Sequence, residues 1–219
     1  MSIESILKWS LNTIELAAAC TGLILWKKWK GTPWKWLAVF LLFIFLTEIL
    51  GKYFHYNIPL RRYNPFLYRY FNIPVTILFY LWLLEKGFRT RKSRSWMLIF
   101  ISLYCAAWIV EEFMLPPVYK KFGTLSYQVG SIGILIFAIF YFIQLANSEK
   151  VLRFKQDLLF WVSMGLIVYH IVTLPFNALR TSLYTSYPDF FTYYWYITFL
   201  FNFFMYGCII SGFIWGKAK

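Results

Sequence analysis

Seven runs of mostly apolar residues follow one another along the chain, at Ser5–Trp26, Trp34–Tyr53, Phe66–Glu85, Ser95–Leu115, Leu125–Asn147, Leu158–Asn177 and Phe190–Trp215. A helix rises about 1.5 Å per residue, so about 20 residues cross a hydrocarbon layer about 30 Å thick. Inside lipid every backbone N–H and C=O must be paired within the protein, which leaves helices and closed barrels as the only spanning structures. Barrel strands alternate polar and apolar residues over about ten positions. These runs are continuously apolar and about twice as long. The pattern therefore predicts an all-α, polytopic membrane protein, a single transmembrane domain over residues 1–219 built as a seven-helix bundle.

Composition points the same way. Only 14% of the 219 residues are charged and 24% are aromatic, against roughly 25% charged in a soluble domain. The net charge of +13 would suggest nucleic acid on a soluble protein. Here the cations sit in short clusters between apolar runs, where they meet anionic lipid, so nucleic-acid binding is not expected. Cys20, Cys105 and Cys208 each lie inside an apolar run and form no C-x-x-C. They read as buried apolar residues rather than disulfides or zinc ligands. The first run has no basic stretch and cleavage site of the signal-peptide kind, and reads as a span.

Basic residues orient the helices. Lys27, Lys28, Lys30 and Lys35, then Lys86, Arg89, Arg91, Lys92 and Arg94, then Lys150, Arg153 and Lys155, and finally Lys217 and Lys219 fall on one side. Lys8, Lys52, Arg61, Arg62, Arg69, Lys120, Lys121 and Arg180 fall on the other. The positive-inside rule puts the richer set in the cytoplasm and the N-terminus outside, as expected for a multi-pass protein of a bacterial inner membrane. The outer connections Gly51–Pro65 and Ala178–Asp189 read as loops. The third and sixth runs each carry a proline among polar residues, Pro74 and Pro175. That pattern hints at duplicated halves, but ordinary proline kinks explain it as well.

Ionisable residues within spans are costly and usually face a bundle interior. Glu15, Glu48, Glu111, Glu112 and His170 are the candidates. Helical rise puts Glu15 roughly 15 Å from either end of its run, and Glu48 and His170 roughly 20 Å from the cytoplasmic end. Lys52 stands four residues after Glu48, a spacing that permits an ion pair. Arg69 and Asn72 open the third run, and Tyr193, Tyr194 and Tyr196 open the seventh. If the helices pack in sequence order, these residues converge on an outward-facing polar cavity with an aromatic rim. It would take a small ligand or a membrane-protein partner from the outer side. The structural alternatives are a Glu48–Lys52 salt bridge, snorkelling of Lys52 and Arg69, and glutamates wetted at the interface.

No catalytic residue is assigned from the sequence. Two histidines are too few for a membrane zinc hydrolase, so no metal site is expected. No Gly-x-Ser-x-Gly, His-Glu-x-x-His or phosphate-binding loop occurs, and the seventh run has no lysine for a retinal Schiff base; no cofactor is expected. Two further readings stay open: an intramembrane lipid hydrolase pairing Glu48 with Glu111 or Glu112, and a small transporter. Small-x-x-x-small spacings at Ala18/Gly22, Ser126/Gly130, Gly207/Ser211 and Cys208/Gly212 allow close helix packing, within the bundle or between subunits.

The stretch Phe160–Tyr169 (FWVSMGLIVY), the Asn202-containing seventh run and the overall layout resemble small seven-helix inner-membrane proteins of Bacteroidetes-type bacteria, often encoded near two-component sensors. The resemblance implies sensing or complex assembly and assigns no site residue. Together with the polar cavity it leads to the expectation of a receptor-like or partner-binding module that relays a signal or anchors a membrane complex.

Overall fold

The computed structural model describes residues 3–88, 91–114 and 124–218. Arg89, Lys120, Lys121 and Lys219 of the charge pattern, and Leu115 at the end of the fourth run, lie outside the described residues. Helices account for nearly all the rest, and no strand occurs among the described residues. Helix α1 covers Ile3–Ile24, the short α2 Trp26–Trp29 and α3 Lys35–Tyr56. The third run begins irregularly, with a 3₁₀ turn at Ile58–Tyr63, a short α4 at Asn64–Leu67 and a π-helical turn at Tyr68–Asn72, before α5 at Ile73–Glu85. Then follow α6 (Arg91–Phe113), α7 (Thr124–Ala146), a 3₁₀ segment (Glu149–Gln156), α8 (Leu158–Ser186) and α9 (Pro188–Trp215).

Six of these stretches are long and apolar enough to cross a membrane, namely α3, Ile58–Glu85, α6, α7, α8 and α9. Helix α1 is as long as α3, at 22 residues, but carries Lys8, Asn12 and Glu15. Its polar side is turned inward: Asn12 and Glu15 are buried with Ala18 and Ala19, while Ile6, Trp9, Leu16, Leu23 and Ile24 face out.

The π turn lies just before a proline. Pro74 has no N–H to give to the Tyr70 carbonyl one turn earlier. The Ile73 N–H reaches instead to the Tyr68 carbonyl, five residues back. Pro175, by contrast, stays inside a continuous α8.

Two expected loops are helical. Helix α3 runs to Tyr56, and α8 continues through Ala178–Ser186 to meet α9 across Tyr187 alone. A 29-residue helix is about 44 Å long, more than the apolar layer requires. Extending a helix beyond the layer adds one backbone hydrogen bond per residue fixed, so a modestly polar stretch such as Arg180–Ser186 continues the coil.

Apart from α6, the long helices pack in sequence order around a ring. Helix α1 lies between α3 and α9, α9 packs on α8, α8 on α7, and α7 on α5. Phe40 of α3 stacks on Phe79 of α5 at 4.0 Å between ring centroids and closes the ring. Helix α6 stands outside it, packed mainly against α7 and α5. Trp96, Leu98, Ile99, Leu103 and Ile109 of α6 are exposed, as befits a surface solvated by lipid. Cys20 and Cys105 also lie on outward faces and only Cys208 is buried. The expectation that all three are interior is corrected: an apolar exterior accepts a thiol as readily as the core does.

The tightest packing lies at the end where α1 stops and α3 starts. Leu37, Leu41, Leu81, Leu84, Leu158 and Phe213 are essentially inaccessible there. Lys28 donates to the Phe213 and Ile214 carbonyls at 2.9 Å, placing a cation at the C-terminus of α9, where the helix dipole favours it. Three glycines of the small-residue spacings serve contacts within the bundle. A Cβ on Gly22 would meet Ala38 and Phe213 at 2.7 Å, one on Gly130 would meet Ile77, and one on Gly212 would meet Trp161. Gly207 has open space beside it.

Candidate functional site

Above this packed floor the ring encloses a chamber of about 270 Å³. Helical periodicity sets its walls, since positions three and four apart share a face. Leu11 and Glu15 come from α1, and Phe40, Ile44 and Glu48 from α3. The third run adds Tyr68, Asn72, Ile73, Thr76, Ile77 and Tyr80, again at one-turn spacing. Tyr127 of α7, Leu166, Tyr169 and His170 of α8, and Asn202, Met205 and Tyr206 of α9 complete the wall. Helix α6 contributes nothing to it.

Glu15 is 3% exposed. Its Oε2 has no partner. Tyr68 donates to Glu48 Oε2 at 2.8 Å. Asn72 Nδ2 donates to Thr47 Oγ1 at 2.9 Å, a bond between the third run and α3. His170 is also 3% exposed. Its Nδ1 and the Thr76 Oγ1 have no hydrogen-bond partner. Residues from three helices that line one small space thus each carry a buried polar atom without a partner.

A second cavity, of about 390 Å³, adjoins the chamber on the side away from the packed floor. Leu11, Glu48 and Tyr68 line both. Lys8, Lys52 and Arg180 give this vestibule its charge, and Trp195 and Phe199 give it an apolar wall. The expected Glu48–Lys52 pair does not form. Lys52 donates to the Lys8 carbonyl at 2.8 Å and lies over the Trp9 ring at 4.5 Å, tying α3 to α1. Tyr68 takes the place at Glu48 that the i, i+4 spacing had offered to Lys52.

Of the residues singled out from sequence, Glu15, Glu48, Asn72 and His170 meet in the chamber, and Lys52 in the vestibule. Arg69, Glu111 and Glu112 do not line either cavity. Glu112 is paired with Arg69 and accepts from the Tyr70 hydroxyl at 3.2 Å, which clasps α6 to the third run. Glu111, fully buried, accepts from Ser126 N at 2.9 Å and Ser126 Oγ at 2.8 Å. It caps the first turn of α7, whose N–H groups have no intrahelical acceptor. A pairing of Glu48 with Glu111 or Glu112 therefore lacks support, because α6 stands outside the ring and both of its glutamates are engaged elsewhere.

The rim tyrosines expected from the start of the seventh run are also differently used. Tyr193 is exposed, and Tyr194 donates to the Val172 carbonyl at 2.9 Å. The chamber is walled instead by Tyr68, Tyr80, Tyr127, Tyr169 and Tyr206. Tyr80, Tyr169 and Tyr206 stand well inside their helices, away from the interfaces where membrane tyrosines collect. That misplacement was the sequence signal that could have marked them. No cluster of three or more His, Cys, Asp or Glu suited to a metal ion occurs among the described residues.

No protein-family model matches the chain, and no match is found among curated proteins or solved structures.

Proposed function

We propose that this helical membrane bundle is a receptor-like module that binds a small ligand in the chamber and relays occupancy through rearrangement of the helix ring. In this reading α1 is a seventh span, the N-terminus and the vestibule face outward, and the chain sits in a bacterial inner membrane. The inverted polarity of α1 supports the seventh span, since its apolar side faces out and its polar side faces in. The cation count supports the orientation.

The observation that carries the ligand reading is that Glu15, Thr76 and His170 line one space and each holds a buried polar atom without a partner, Oε2, Oγ1 and Nδ1. A buried polar group without a partner costs roughly 1–3 kcal/mol. A ligand that supplies the missing partners removes that cost, and each helix bearing one of them feels its arrival. The ring geometry makes the signal shareable, because α5 and α8 both pack on α7, and α1 and α8 both pack on α9.

Native mass spectrometry of the protein in nanodiscs, with thermal melting against fractionated metabolites, tests this reading. One small molecule bound one-to-one, raising the melting temperature by several degrees, is the expected result. Finding only annular lipid would refute it. Flux of that molecule into sealed liposomes would move the assignment from receptor to transporter. A reporter fused to the C-terminus reads the orientation: fluorescence of a cytoplasmic reporter is expected, and activity of a periplasmic one would reverse it.

A further inference from the structure

Glu48 lines both cavities, but lysine and arginine line only the vestibule, and the order of the two spaces restricts what can occupy them. The chamber holds two carboxyl groups, Glu15 and Glu48, among five tyrosines, with no lysine or arginine in its lining. Carboxylates backed by aromatic faces are the environment that attracts an organic ammonium ion. Tyr68 holds one oxygen of the Glu48 carboxyl group, and Glu15 Oε2 is buried without a partner. The vestibule carries Lys8, Lys52 and Arg180. A plain amine entering that way passes three cations, whereas a plain carboxylate finds its cationic partners in the vestibule and none in the chamber lining.

A molecule with a charge of each sign satisfies both spaces. Resting on the ligand-binding reading above, we infer that the ligand is a small zwitterion, its ammonium group lodged between Glu15 and Glu48 and its anionic group held in the vestibule at Lys52 and Lys8. Glu48 and Lys52 are one turn apart on α3, a rise of roughly 6 Å, so the two charges of the ligand are separated by a comparable distance. An ω-amino acid has that form. So does the ammonium–phosphate headgroup of phosphatidylethanolamine, which shares the same chemistry. Lys52 gives one hydrogen bond to the Lys8 carbonyl, and an ammonium has three donors.

The test uses the full chain in phosphatidylglycerol nanodiscs. Thermal shift and calorimetry are run with γ-aminobutyrate and δ-aminovalerate, each beside the amine and the carboxylate of the same chain length. The zwitterions should bind at least tenfold more tightly than either singly charged partner. Glu15→Gln and Glu48→Gln should each weaken zwitterion binding by tenfold or more. Lys52→Gln should abolish the preference for zwitterion over amine, with Glu112→Gln, outside both cavities, as the unchanged control. Circular dichroism and gel filtration establish that each variant is folded.

If the preference in phosphatidylglycerol discs disappears in phosphatidylethanolamine discs, the source is a lipid headgroup. If it persists, the source is a free solute. Equal binding of amine and zwitterion overturns the inference, as does tight binding of the carboxylate alone. A different small molecule found in the chamber, with no response to any zwitterion, overturns the inference and leaves the ligand-binding reading standing. No bound small molecule of any kind overturns both.

Discussion

Tyr68 donates a 2.8 Å hydrogen bond to Glu48 Oε2 across 20 residues of sequence, and that one bond links the irregular start of the third run to the carboxylate where chamber and vestibule meet. Tyr68 opens the π turn, and π turns widen a helix by one residue and occur often at functional sites. Tyr68→Phe removes the bond and keeps the ring. The expected loss is about 1 kcal/mol of stability, typical of a hydrogen bond between membrane helices, seen as a lower melting temperature in detergent. An unchanged melting temperature would mean that Glu48 is held by other contacts.

Close approach at the packed floor rests on Gly22. Its missing side chain admits Ala38 and Phe213 to positions 2.7 Å from where a Cβ would stand, and Ala38 has no flexible end to move aside. Gly22→Ala should cost about 1–3 kcal/mol through overpacking. Gly207→Ala, with nothing within 4 Å, should be neutral or slightly stabilising, because alanine favours the helix. Equal effects from the two substitutions would contradict the packing described for α1, α3 and α9.

Arg69 and Glu112 fasten the outlying helix α6 to the third run. A double-mutant cycle with Arg69→Met and Glu112→Gln should give a coupling energy of about 1–2 kcal/mol, since both side chains are largely shielded. Binding in the chamber should be unaffected by Glu112→Gln. A loss of binding there would mean that α6 is mechanically joined to the ring more firmly than its two neighbours imply.

Glu111 separates a structural carboxylate from a catalytic one. Glu111→Ala leaves the Ser126 N–H and hydroxyl without their acceptor, and the expected cost is about 1–2 kcal/mol, as for loss of a helix N-cap. Glu111→Gln keeps a carbonyl oxygen in place and should recover much of that loss. Lipid hydrolysis that vanishes with Glu111→Gln while stability is retained would restore the paired-carboxylate reading.

The sequence by itself determined that the chain is helical and lives among lipids. A hydropathy pattern is a statement about solvent, and backbone pairing leaves continuous apolar runs a single local form. It also marked Glu15 and His170, because a charge or an imidazole deep in such a run stands out against its neighbours. Only the tertiary structure decided which polar groups meet. The period of 3.6 residues gives each helix its faces but does not name the helix opposite. Glu15 and Glu48 share a chamber because α1 lies between α3 and α9, and Glu111 and Glu112 are kept from it because α6 stands outside the ring. Lys52 turns to the Lys8 carbonyl of α1 rather than to Glu48, four residues away, and a hydroxyl from a distant segment reaches that carboxylate. Side-chain pairing in a bundle is settled by helix order and rotation, which are properties of the whole assembly and are carried by no single run.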